Sequence, residues 1–283
     1  MIYTDINQQI LETDTLIKNL FFALSPLYKE GFSDTQRVTI PLFTSLHSTS
    51  ESILILLQNQ AVFDADILLR CLMEGTVKYC YLMNGTEDER EKKYEEYRII
   101  LSEIDKLTDH KKAKEAIDIL KEFSQNNLTP FEVMILSDEE ETTLAAKYPA
   151  SKRNEYTRKW SYQTMLRALA KNHKEYEAQL GTLSTYATTS HFCHFDWTGV
   201  SARLDQIVSS RDGSNELYEY VHALRILSNV LSLYLFRVIE YMRGNHYSTK
   251  ELAEKCTHGF DLAAEMDREQ NRLLNQAGAT QEQ

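Results

Sequence analysis

Apolar side chains recur every three to four residues along almost the whole chain, the spacing that lines one face of an α-helix. Residues 4–30 show it with Ile6, Ile10, Leu16, Leu20, Leu24 and Leu27. This predicts a helix that stops at Gly31, its last turn kinked or shortened by Pro26. Further helices are predicted over 35–59, where Pro41 near the start is tolerated in a first turn, and over 62–83, closed by Asn84-Gly85. Thr86-Glu-Asp-Glu89 reads as a capping box for a charged helix to about 108, followed by another over 111–124. Helical spacing returns over about 154–174 and 176–195, then from a cap at Ser214 to Arg243, ending at Gly244-Asn245. Ser248-x-x-Glu251 opens a last helix that frays into 275–283.

Two stretches lack this order. Residues 125–152 hold Asn126-Asn127, Pro130, the acidic run 138–141 and Pro149, and read as an irregular insertion in which Ser137-x-x-Glu140 could cap a short helix. Residues 199–213 are polar and partly looped. Gly and Pro number 9 and 4 in 283 residues, far below the usual share of about 12%, too few turn formers for a sandwich, barrel or glycine-rich phosphate loop. The expectation is an all-α, up-and-down helical bundle with an inserted loop region and a long C-terminal helix. It is a single domain over 1–283, its last helix and tail spanning 248–283.

Charge narrows the function classes. The formal net charge is −11, so nucleic-acid contact would need a local basic patch. Such a patch occurs over 147–174: Lys147, Lys152, Arg153, Arg158, Lys159, Arg167, Lys171 and Lys174 accompany one acid, Glu155, with Tyr156, Trp160 and Tyr162 interleaved. A phosphate backbone with stacked bases would suit it, and so would a solvated face balancing residues 138–141. The four cysteines lack C-x-x-C pairing and read as free thiols, with Cys71 and Cys80 in an apolar run. The N-terminus lacks a signal-peptide pattern. The most apolar stretch, 224–242, is broken by Arg225, Arg237 and Glu240, against a membrane span. A cytoplasmic protein without cofactor or metal is expected.

Two clusters could carry chemistry. The 62–83 helix is apolar nearly all round, so Arg70 and Glu74, four residues apart, should be buried and paired, either as a register-fixing ion pair or as an anion site with a proton acceptor. Gly75 beside them would admit a close backbone or a ligand. In the second cluster, Ser190, His191 and His194 share a helix face. His194 could act as acid or base beside Arg70, the two histidines could share a metal with Asp196 or Glu74, or the cluster could be structural. Arg167-x5-His173 also fits an Arg-x(4–6)-His spacing, of which about one is expected by chance.

Leu68-Leu-Arg-Cys-Leu-Met-Glu-Gly75, followed by Lys159-Trp-Ser and Tyr186-x-x-x-Ser190-x-x-x-His194, resembles an uncharacterised all-helical bacterial family over about residues 40–245. The resemblance maps that family's recurring polar residues onto Arg70, Glu74, Ser190 and His194. That family is in turn similar to the higher-eukaryote-and-prokaryote nucleotide-binding (HEPN-like) helical domains, which implies a metal-independent ribonuclease or nucleotide-binding protein. It further implies a homodimer, contact with RNA or a partner protein, and a stress or phage-defence setting. The chain departs from that pattern at Ala168, where a polar residue usually follows the arginine. The competing expectation is a non-enzymatic interaction or sensor module in which Arg70, Glu74 and His194 are structural.

Overall fold

The computed structural model describes residues 2–24, 34–123, 128–210 and 216–281, with side chains placed for residues 6–24, 36–123, 128–205, 208 and 216–276. The expectations for Pro26, Gly31 and Ser214 lie outside these residues. Every described element is helical, and no strand occurs among the described residues.

The chain divides into two compact units. The first joins residues 1–84 to 166–283 and contains α1 (Ile2–Leu24), α2 (Asp34–Gln58) and α3 (Val62–Met83). The second, 85–165, contains α4 (Glu87–Glu95), α5 (Leu101–Glu122), α6 (Thr129–Glu132), α7 (Asp138–Lys147) and α8 (Ala150–Lys159). Helix α9 (Tyr162–Asn172) starts in the second unit and ends in the first. The first unit continues with α10 (Thr182–His194), α11 (Trp197–Ser210), α12 (Glu216–Gly244) and α13 (Lys250–Gln281).

Helix α12 is the centre of the first unit and packs against α1, α2, α3 and α13. Its buried residues surround it, from Leu224, Leu227 and Leu231 to Tyr234, Val238 and Tyr241. Helix α12 and residues 36–58 are each long and apolar enough to cross a membrane, but 72% of the α12 window is buried inside the bundle. The charges that interrupt it are held internally. Arg237 is 0% exposed and donates to Ser50 Oγ (3.0 Å) and Thr76 Oγ1 (3.2 Å). Its guanidinium lies 4.8 Å from the Tyr234 ring centre. Glu240 accepts from the Tyr176 hydroxyl (2.9 Å) and from Arg243 (2.6 Å), and burial pushes its carboxyl up.

Helix α3 spans the range its pattern predicts, and Gly85 beyond it takes a φ of 100°, the left-handed turn that favours glycine. It is less enclosed than its composition suggests. Asp66, Leu69, Leu72, Met73, Thr76 and Cys80 are buried, whereas Arg70 and Glu74 are half-buried and Cys71 is exposed. The neighbour at Gly75 is Leu46 of α2, whose Cδ2 would lie 2.3 Å from an added Cβ. A close helix crossing, not a ligand, explains this glycine. Pro41 lies inside α2, beyond its first turn.

In the second unit the Thr86 and Ser137 capping boxes both form. The charged helix does not break near 108. It runs through α4, a π-helical turn at Glu96–Ile100, and α5. Most of the stretch expected to be irregular is helical too, in α6 and α7, with Pro149 capping α8. Ile104, Leu107 and Tyr148 form its small core. In the first unit, the looped reading of 199–213 gives way to α11 through residue 210. The cap of α13 is Thr249, whose hydroxyl accepts the Leu252 N–H (3.1 Å), rather than Ser248.

Burial pushes the Arg237 guanidinium down to about 10, which leaves it charged at neutral pH, and no carboxylate pairs with it among the described residues. A buried charge without a counter-ion costs more than its hydroxyl contacts return. Arg237→Met should therefore keep stability within about 1 kcal/mol of the parent or raise it, read from urea midpoints. A loss above about 3 kcal/mol would show that the hydroxyl and ring contacts outweigh desolvation.

Candidate functional site

Arg70 reaches from α3 to α10 and engages one residue there twice. Its Nη1 donates to the Tyr186 carbonyl and its Nη2 to the Tyr186 hydroxyl, both at 3.0 Å, with the guanidinium 4.0 Å from the ring centre. The Tyr186 hydroxyl is 3.5 Å from Glu74 Oε2, to which it donates. Arg70 and Glu74 are thus bridged by Tyr186 and do not form the expected ion pair. Burial and the Glu74 charge raise the Tyr186 phenol.

The Ser-x-x-x-His residues do not complete this group. Ser190 is half-buried and His194, the last residue of α10, is exposed. Neither hydrogen-bonds to Arg70 or Glu74. His191 is held by Asp196 (Nδ1 to Oδ2, 2.5 Å), and Asp196 also accepts the Gly199 N–H (3.1 Å) at the start of α11. The His191 bond holds the Asp196 carboxyl below its usual range. His191 therefore fixes the turn between α10 and α11. No group of three or more potential ligand residues could hold a metal among the described residues. His173 follows α9 and meets Asn84 (2.7 Å), away from exposed Arg167.

The basic stretch is distributed over both units. Lys152, Arg153, Arg158 and Lys159 belong to α8 in the second unit, while Arg167 and Lys171 are exposed on α9 in the first. Lys159 is paired with Glu96 and Lys147 with Glu103, each at 2.7 Å. Trp160 and Tyr162 are buried, and Trp160 donates to Glu96 (3.1 Å). These two are not available as stacking platforms, and Tyr156, the third aromatic of the stretch, is half-buried against the Ile104, Leu107 and Tyr148 cluster.

The strongest convergence of chemistry lies elsewhere in the first unit. A cleft of about 330 Å³ opens between α10, α12 and α13. Ser184, Thr185 and Thr188 line one side, His222 and Arg225 another, and Gln270 a third. Behind His222 and Arg225 sits Asp66, 0% exposed. His222 Nε2 contacts Asp66 Oδ2 at 2.5 Å, and Arg225 Nη2 donates to both carboxylate oxygens at 2.8 and 2.9 Å. Burial raises the Asp66 carboxyl, but the His222 hydrogen bond and the Arg225 charge outweigh it, and the net shift is downward. An ionised Asp66 requires a proton on His222 Nε2, so in the neutral form of the ring Nδ1 is the acceptor. Phe63 packs edge-on against the ring, with centroids 5.6 Å apart, and fixes its plane. Arg225 commits only Nη2 to Asp66, so Nη1 and Nε remain as donors. The cleft thus offers an oriented imidazole, free guanidinium donors, a row of hydroxyls and apolar walls from Phe192, Val221 and Leu274.

A model of a family of unknown function, DUF5677, matches residues 36–213. The chain belongs to this family. No curated protein and no solved structure matches the chain. The DUF5677 span carries Asp66, Arg70, Glu74, Ser190, His191, His194 and the α10 wall of the cleft, but it ends before α12. His222 and Arg225 therefore lie outside the DUF5677 match. Two signals in the sequence could have marked them: Asp66 is an acid inside an apolar helix, and His222-x-x-Arg225 shares one face of another.

Asp66 is the member whose loss should be felt first. Its depressed folded pKa means that its stabilisation is complete above the ordinary aspartate range and is lost as pH falls through the folded value. Asp66→Asn should cost about 2–3 kcal/mol at neutral pH, less than breaking a fully buried pair because Arg225 can return to water. It should also flatten the acid limb of the stability curve. Denaturant titrations from neutral to acid pH, run on both proteins, measure the two effects. An unchanged acid limb would mean that Asp66 is not the group that titrates there.

Proposed function

We propose that this chain holds a phosphate-bearing ligand of the nucleotide or RNA kind in the α10–α12–α13 cleft, and that it is a metal-independent ribonuclease of the HEPN-like type. One observation carries this reading. A fully buried carboxylate orients a histidine and an arginine that both line a cleft of the first unit. A volume of about 330 Å³ suits a single small ligand or one nucleotide unit of a strand. Arg225 is placed to steady a phosphate through Nη1 and Nε, and the Thr185 and Thr188 hydroxyls supply further donors, the Ser184 hydroxyl being bonded to the Gly181 carbonyl. In a ribonuclease reaction, His222 Nδ1 takes the proton of a ribose 2′-hydroxyl. The 2′-oxygen then attacks phosphorus, the bond to the 5′-oxygen breaks, and the leaving oxygen takes a proton from water. Arg225 meets the charge that builds on the phosphoryl oxygens. The family resemblance favours a stress or defence setting for such a protein.

Non-enzymatic binding is the second reading, and one observation favours it. The cleft offers a single histidine and no free carboxylate, so a second acid or base would have to come from the ligand or from water. Incubation with tRNA and total RNA, beside calorimetric titration with adenosine monophosphate, separates the two. His222→Ala should lower cleavage at least about 100-fold. Arg225→Ala should weaken nucleotide binding about tenfold or more, while His194→Ala and His173→Ala leave both unchanged. Binding without cleavage selects the sensor. Neither binding nor cleavage would sink the proposal.

A further inference from the structure

Helix α11 carries its apolar face outward. At 100° per residue Trp197, Val200, Leu204 and Val208 fall within about a quarter of the circumference, and they are 78%, 39%, 52% and 59% exposed. Phe195, in the left-handed conformation just before the helix, adds a ring that is 64% exposed. The opposite face is tied down. Gly199 is buried so closely against α10 that a Cβ there would lie 2.4 Å from the His191 carbonyl oxygen. Arg203 donates to Asp64 of α3 at 2.6 Å, and its guanidinium lies 5.5 Å from the Phe63 ring centre. Asp196 caps the N-terminus through the Gly199 N–H. The helix therefore cannot roll to bury its stripe within the chain.

We propose that this stripe is where two copies of the chain pair, α11 against α11 about a two-fold axis. A symmetric pair uses one surface twice, so apolar positions repeating at three- and four-residue steps meet their own complement. Side chains this exposed leave on the order of 500 Å² of apolar surface per copy. Pairing then removes about 1,000 Å², the lower limit for a specific interface, and predicts a dissociation constant in the micromolar range. The other occupants lack their chemistry here. Among the described residues Arg203 is the only basic residue on α11, and its guanidinium is committed to Asp64 and to the Phe63 and Phe195 rings, so α11 offers a single, already bound cation where a lipid surface or a nucleic acid would need several.

The test is mass and tryptophan environment together. The chain has two tryptophans, and Trp160→Phe leaves Trp197 as the sole reporter. Between about 1 and 100 µM, light scattering after size exclusion should shift from one-chain to two-chain mass. Trp197 emission should move to shorter wavelength over the same range. Leu204→Glu should raise the dissociation constant at least tenfold with unchanged far-ultraviolet circular dichroism, and Val208→Ser should do so more weakly if the glutamate variant unfolds. One-chain mass at about 100 µM with solvent-like Trp197 emission overturns the proposal. So does a dimer that survives both substitutions. Neither readout uses a ligand, so this outcome is independent of the cleft.

Discussion

The arrangement of the first unit depends on one requirement: a carboxylate removed from water must find partners. Asp66 sits on the face of α3 that meets α12, and it has no exposed surface. An ionised carboxylate there is tolerable only if its oxygens are bonded. His222 and Arg225, one turn apart on α12, meet that need and thereby fix how α3 and α12 register along each other. The same bonds decide which imidazole nitrogen and which guanidinium atoms remain to face the cleft. Helix packing and site chemistry are two consequences of one buried charge.

The elements were legible wherever a local rule governs them. Helix α3 begins and ends where its apolar run and Asn84-Gly85 place it, and the Thr86 and Ser137 boxes cap α4 and α7 as their spacing requires. Local rules failed where a partner distant in sequence decides. The polar stretch after Gly199 resembles a loop, but its helix rests on Asp196 and on a glycine that lets α10 approach. The pairing of Arg70 with Glu74 follows from i,i+4 spacing alone. It is displaced because Tyr186, more than a hundred residues away, offers Arg70 a carbonyl, a hydroxyl and a ring together.

The candidate site was harder to read than the fold for a related reason. Spacing on one helix shows which polar residues share a face, but not which of them stay accessible. His194 and His191 share a face with Ser190, yet one is exposed and the other is spent on a turn. Arg225 read only as an interruption of an apolar stretch, Asp66 and His222 carried no local signal of a role, and the meaning of all three depends on α3 and α12 being neighbours. An isolated charge in an apolar run was the legible part of the signal. Its partner was not.

Arg70 and Tyr186 still bear on the cleft, though they do not line it. Tyr186 lies on α10 between Thr185 and Thr188, which form the hydroxyl wall opposite Arg225. Its carbonyl accepts from Arg70 and from Thr189 Oγ1, so α10 is held at this turn from behind by α3. The wall carrying the hydroxyls and the floor carrying His222 and Arg225 are thus both anchored to the same helix, one through Arg70 and the other through Asp66, four residues earlier. Two charges a single turn apart on α3 set the width of the cleft. Moving either wall requires breaking charge-assisted contacts, which favours a preformed site over one assembled by its ligand.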